Sequence, residues 1–221
     1  MHKEPVLQMK GISKQFPGVQ ALKDVDFSVL PGEVHCLVGE NGAGKSTLIK
    51  IMTGAQPKDA GTILINGTQV EMNSPQDGKN LGIRAIYQEL DLLPTLSVAE
   101  NIFVEDIPRT SMGLVNWSEM NRRAAELLAT FHVPIDPKAL VRDLTVAEQQ
   151  IVAIVKALSQ DSKVLIMDEP SAVLTGSELE RLFEIIGTLK KQGVGIVYIT
   201  HRLVEVFEIG DRITVLRDGQ W

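Results

Sequence analysis

Residues 39–47 read Gly-Glu-Asn-Gly-Ala-Gly-Lys-Ser-Thr, the pattern G-x-x-x-x-G-K-[ST], with the apolar run Val34–Val38 before it and the stretch KSTLIKIM after it. A buried strand, a glycine-bent loop and a helix must therefore follow one another, which is the start of an α/β fold. Gly39, Gly42 and Gly44 let the backbone curl so that its N–H groups, with those of Glu40, Asn41, Ala43 and Thr47, face phosphate oxygens. The helix start adds the positive end of its dipole. In this pattern Lys45 reaches the β/γ-phosphates and Ser46 holds Mg2+.

The rest of the chain supports the same class. VLQMKGI, VDFSV, VHCLV and TILING read as early strands, and IRAIY at 83–87 as a buried one. From Ser97 to Gln160 the character turns helical; in SEMNRRAAELLATF, Met120, Ala124, Leu127, Leu128 and Phe131 share one face. VLIMD (164–168) has the continuous apolarity of a strand covered on both faces, and the following helix should turn Leu179, Leu182, Phe183, Ile186 and Leu189 inward until Gly193 stops it. GIVYIT and DRITVLRDGQW then supply two strands. Asp168 closes VLIMD, where it would orient Mg2+ through water, and Glu169 is placed to polarise an attacking water. A carboxylate pair before Pro170 can also simply begin a turn.

Composition narrows the partners. A net charge of −6 without a basic cluster disfavours nucleic acid. The single cysteine, Cys36, lies in an apolar run and suits a buried thiol in a reducing compartment. No stretch approaches the ~20 apolar residues of a membrane helix, and the N-terminus lacks a signal-peptide core, so any membrane contact should run through a partner. Asp218-Gly219 after ITVLR is a hairpin signal whose returning strand should follow, so residues 1–221 are expected to be one nucleotide-binding domain cut within its C-terminal hairpin.

In order, these motifs resemble the nucleotide-binding domain of an ABC ATPase. GENGAGKST is followed by Gln88 in IYQEL, matching the Q-loop, then the helical insert, then Leu144-Thr145-Val146-Ala147-Glu148 where the family has its LSGGQ signature, then DEP and His201 in YITHRL, matching the switch histidine. Phe16 in SKQFPG precedes Lys45 by 29 residues (45 − 16), where the family puts the aromatic that stacks on adenine. The resemblance implies a P-loop NTPase fold with a RecA-like core, an N-terminal antiparallel β-subdomain and a helical subdomain at about residues 97–160. It also implies ATP and Mg2+ as ligands, with Glu169, His201 and Gln88 catalytic, and Ser46, Gln88 and Asp168 around the metal.

LTVAEQQ can be read in two ways, because Thr145 and Glu148 are also spaced as a capping box, which marks a helix start in any soluble protein. In the family that helix start faces the γ-phosphate held by an opposite domain. Here Val146 and Ala147 replace the signature glycines and Glu148 brings a negative charge, while Thr175 replaces the D-loop aspartate. The chain is thus expected to hold ATP well and to serve a partner's nucleotide poorly.

GISKQFPGVQALKDVDFSV, AIYQELDLLPTLSVAENIF and YITHRLVEVFEIGDRITVLRDGQ are similar to the N-terminal half of tandem ATPases from bacterial monosaccharide importers of the ribose, galactose and xylose type. That implies three partners: a second ABC ATPase domain from the C-terminal half of the same parent chain, a transmembrane permease, and indirectly a periplasmic or extracellular sugar-binding protein. The expected location is the cytoplasmic face of the membrane, as a peripheral subunit. Nucleoside import, and soluble ABC ATPases of DNA repair or translation, are the alternatives. The repair type needs a long coiled coil where only about fifty-five residues separate Gln88 from Leu144, and the ribosomal type joins two domains by a long charged linker.

Overall fold

The computed structural model describes residues 4–221, which form two compact units. The first comprises the chain up to Ala85, Ser162–Pro170 and Ile186–Trp221; the second comprises Ile86–Asp161 and Ser171–Ile185.

The first unit holds two sheets. In one, β1 (Leu7–Phe16) lies between β2 (Val19–Val29) and β4 (Ala60–Ile65), with β5 (Thr68–Val70) outside β4, all antiparallel. β1 and β2 are longer than the apolar segments that announce them, because their exposed ends alternate with Lys and Gln. β5 is returned by Asn66-Gly67, whose φ angles of 49° and 76° are those of a two-residue hairpin turn; three residues are too few for alternation to declare the strand. The second sheet has the order β6 (Ile83–Ile86), β7 (Val164–Asp168), β8 (Gly195–Ile199), β3 (Val34–Val38), β9 (Arg212–Val215), and the β7/β8, β8/β3 and β3/β9 pairs are parallel. Every residue of β3 and β8 is buried, which is why their sequences are apolar without alternation.

Short helices complete this unit: α1 (Lys45–Met52) turns Leu48, Ile49, Ile51 and Met52 into the core, and α2 (Pro75–Asn80) starts in a Ser74/Asp77 capping box. In the second unit lie α3 (Val98–Ile102), α4 (Trp117–Thr130), a 3₁₀ turn at Val141–Asp143 and α5 (Val146–Leu158). α4 buries Met120, Ala124 and Leu128, and Leu127 is half-buried beside them. Asn101 of α3 is fully buried and pins the loop before it: its Nδ2 donates to the carbonyls of Leu93 (3.0 Å) and Ser97 (3.0 Å), and its Oδ1 accepts from Leu93 N–H (2.7 Å).

Two expectations need correcting. α6 (Gly176–Lys191) buries Leu182, Ile185, Ile186 and Leu189, spaced i, i+3, i+4, i+7, so that Leu179 and Phe183, expected inward, flank the stripe and stay half-exposed. Between β8 and β9 stands a further helix, α7 (Leu203–Ile209), for which the sequence gives no apolar stripe: Leu203, Val204 and Phe207 are exposed while Glu205 is buried. Gly193, at φ 87°, ends α6 as expected, donating its N–H to Lys190 O.

Candidate nucleotide site

β3 delivers the glycine loop, residues 39–44, directly into α1. Gly44 is the N-cap of α1 at φ 106°, and a Cβ there would stand 2.6 Å from the carbonyl oxygen of Ala21. A side chain at Gly39 would run into the Leu216 carbonyl, so neither position tolerates one. α1 has no side-chain cap and no acid in its first turn, which leaves its amides and dipole unopposed. The Lys45 ammonium folds back over the loop, donating to the carbonyls of Gly39 (2.6 Å) and Glu40 (3.0 Å). Glu40, Asn41, Gly42 and Ser46 are exposed, Thr47 is half-buried, and Ala43 is buried beneath them.

The loop is braced from the far end of the chain. Asp218 and Gly219 form a turn with φ 50° and 72°; Gly219 N–H donates to Ala43 O (3.1 Å), and Gly219 O accepts from Lys23 N–H (2.8 Å). Asp218-Gly219 is legible in the sequence as a turn, but its hold on the phosphate loop is not.

β7 ends in Asp168, and Glu169 follows it. Burial, and then the charge of Glu169, push the Asp168 carboxyl above the usual range, against the pull of Lys45. Glu169 sits at φ 49°, left-handed backbone that costs a non-glycine residue roughly 1 kcal/mol; its N–H donates to Ile199 O at 3.0 Å. That strain turns its Oε1 to within 3.1 Å of His201 Nδ1. His201 follows β8 on a turn held from below by buried Glu205, which accepts from Tyr198 Oη (2.9 Å) and Thr200 Oγ1 (2.9 Å). Lys45, Asp168, Glu169 and His201 thus leave the carboxyl ends of three adjacent parallel strands, where α/β sheets place their ligands. Cys36, buried in β3 with its thiol pushed up to about 11 by burial and by Asp211 and Glu205, takes no part.

No cluster of three or more His, Cys, Asp or Glu side chains able to hold a metal exists among the described residues. Ser46 and Asp168 are the oxygen-bearing side chains that could hold Mg2+, which needs few protein oxygens because phosphates and water supply the rest.

Phe16, at the end of β1, is 38% exposed, with the Lys14 ammonium 5.7 Å from its ring centroid. Gln88 is exposed and belongs to the second unit, as do Leu144, Thr145, Val146, Ala147 and Glu148. There the capping box is real. Glu148 Oε2 accepts from Thr145 N–H (2.8 Å) and Thr145 Oγ1 (3.0 Å), while Thr145 Oγ1 accepts from Glu148 N–H (3.2 Å).

Residues 22–172 match the ABC transporter family. The chain is 55% identical over 216 residues to the ribose import ATP-binding protein RbsA 1 of Rubrobacter xylanophilus, covering 98% of this chain and 43% of that protein. It is 52% identical over 217 residues to a putative ribose/galactose/methyl galactoside import ATP-binding protein 3 of Burkholderia ambifaria, covering 98% and 42%. The chain therefore spans less than half the length of these relatives. Among solved structures, a nucleotide-free ATP-binding cassette from an ABC transporter superposes with a TM-score of 0.87 at 26% identity, over 98% of this chain and 89% of the other. The ADP conformation of the cassette MJ1267 gives the same TM-score of 0.87 at 26% identity, over 99% and 89%.

Proposed function

Because this chain belongs to the ABC transporter family, we propose that it binds and hydrolyses ATP to power the import of a monosaccharide through a membrane permease. One observation carries the chemistry: strained Glu169 faces His201 beside a phosphate loop whose lysine acts on the half-buried Asp168. The names of the relatives support ribose or galactose import over nucleoside uptake, DNA repair or translation.

In this reading the adenine stacks on Phe16 and the phosphates displace the Gly39 and Glu40 carbonyls as partners of Lys45. The amides of Gly42, Gly44 and Lys45 take phosphate oxygens, and Ser46 and Asp168 would hold Mg2+, which would supply charge neutralisation at the phosphates. Glu169 orients water for in-line attack and accepts its proton. His201 fixes Glu169 and hydrogen-bonds the γ-phosphate. Gln88, in the second unit, is the proposed sensor of the permease. A second ABC domain closes the site, and the peripheral position at the cytoplasmic membrane face agrees with the absence, among described residues, of a helix long and apolar enough to cross a membrane. That second domain belongs, in the same proposal, to a longer parent chain, in keeping with the 43% and 42% of these relatives' length that the chain covers. A sugar-binding protein completes the assembly on the other side.

The test is Mg-ATP binding and single-turnover phosphate release. Lys45→Ala should lose on the order of 10- to 100-fold in affinity, the worth of charge-assisted phosphate bonds. Glu169→Gln should bind as wild type and release no phosphate. Wild-type affinity in Lys45→Ala would refute the site.

A further inference from the structure

Lys14 is the one buried lysine among the described residues, 7% exposed, although it lies two residues from the end of β1. Taking an ammonium out of water costs free energy unless its new surroundings offset the loss. Its Nζ donates to Asp59 Oδ1 at 2.6 Å, and among the described residues it has no other acceptor. The rest of the charge meets an aromatic face: Nζ stands over the Phe16 ring, 5.7 Å from its centroid, inside the ~6 Å reach of a cation–π contact.

This ion pair exceeds what strand closure needs. Asp59 stands just before β4; its N–H donates to Ser13 O (2.9 Å), and its Oδ2 accepts from Gln15 N–H (2.7 Å). Those two bonds fasten the end of β1 to β4. A lysine left in water could pair equally with Asp59, whose side chain is 46% exposed. What closure leaves unexplained is the burial of the ammonium against the ring. Lys14, and after it the Gln15 amide, hold the Asp59 carboxyl below its ordinary range, so the anchor stays charged at neutral pH. The same hairpin lies against the phosphate loop: Lys14 is the Cα partner of Leu22, and a Cβ at Gly44 would meet Leu22 Cδ2 at 2.9 Å and Ala21 O at 2.6 Å.

We propose that Lys14, anchored by Asp59, is a positioning residue for base recognition: it fixes and polarises the Phe16 ring as the platform for a stacked purine. The proposal rests on the ATP reading above and deepens it by assigning the support of the platform. Aromatic faces carry negative potential, so a ring and a base stacked squarely repel each other. An ammonium over one face of Phe16 draws that density towards itself and makes the other face a better partner for the base. Lys14 acts through Phe16 and leaves the grip on the phosphates untouched.

Calorimetric titration of the full chain with Mg-ATP and with base-free Mg-tripolyphosphate separates base from phosphate. Lys14→Met keeps the apolar stem and removes the charge. It should weaken ATP about threefold to tenfold, the range of a partly desolvated cation–π contact, and leave tripolyphosphate unchanged. Lys14→Arg keeps the charge and should restore most of the ATP affinity that Lys14→Met loses. In a Phe16→Leu background Lys14→Met should cost nothing further, because its path to the base is gone. A lysine that only braces the strands predicts equal losses for both ligands, or a loss that persists without the ring. Either result, or wild-type ATP affinity in Lys14→Met, overturns the proposal while the nucleotide reading stands; a wild type that binds neither ligand overturns both. If Lys14→Met does not fold, Asp59→Asn decides. Asparagine still accepts from Gln15 N–H but frees the ammonium, so ATP alone should weaken, and unchanged ATP affinity would overturn the assignment.

Discussion

Acid should loosen this fold through one buried histidine on the strand that carries the phosphate loop. His35 of β3 is 2% exposed and stacks on Phe27 with ring centroids 4.3 Å apart. Its Nδ1–H donates to Ser28 O (2.6 Å), so its Nε2 accepts from Thr214 Oγ1 (2.7 Å), which fixes the neutral tautomer. Arg212 lies against the same ring, 3.0 Å from Nδ1, and also donates to Ser28 O. Burial is the main cause, and the Arg212 charge adds to it, holding the ring's pKa near 4 against an ordinary 6.5, although the Ser28 bond pulls the other way. A folded pKa below the unfolded one means that the stabilisation is present above pH 6.5 and is lost as pH falls towards 4, because only the unfolded chain takes up the proton in that window. Integrated from pH 7 to pH 4, the loss is about 3 kcal/mol, a large part of the ~5–15 kcal/mol that holds a domain together. Urea unfolding of wild type and His35→Gln at several pH values across that window measures it. The glutamine retains a donor and an acceptor but does not titrate, so the variant should start less stable at neutral pH and fall less steeply in acid. Parallel pH profiles for the two proteins would refute the assignment.

Two further outcomes concern the supports of the site. Gly219→Ala puts a Cβ 2.8 Å from the Ala21 carbonyl at φ 72°, so it should cost roughly 1–3 kcal/mol in denaturation and weaken Mg-ATP binding through the lost Gly219 bond to Ala43. Tyr198→Phe removes one of the donors to buried Glu205 and should cost about 1.5–3 kcal/mol; because that carboxylate also holds Thr200, phosphate release should fall more than nucleotide affinity.

What the sequence declares, and what it hides, divides along the range of the interactions. The phosphate loop, the capping boxes and the fully apolar strands are set within a few residues, and each stands where its local pattern puts it. α7 is hidden because Leu203, Val204 and Phe207 face outward and Val206 shares its buried face with Glu205, held by Tyr198 and Thr200, which no apolar periodicity can reveal. β5 is hidden by shortness, although Asn66-Gly67 names its turn.

At the site the divide is sharper. Asp168 and Glu169 are adjacent in sequence, yet what separates their roles is backbone geometry: Asp168 continues β7 and is desolvated, whereas the left-handed turn at Glu169 sends its carboxylate to His201. The brace from Gly219 to Ala43 joins opposite ends of the chain and depends on β9 lying beside β3, a neighbour relation that only the sheet order supplies. Glu148 is the intermediate case. Its spacing from Thr145 forecasts the cap; that the cap leaves Gln150 unpartnered beside a cavity follows only from the packing of α5. α2 and α3, closed by the same device, have no unpartnered buried donor among their described side chains, so the unpartnered Gln150 follows from how α5 packs and not from the cap itself.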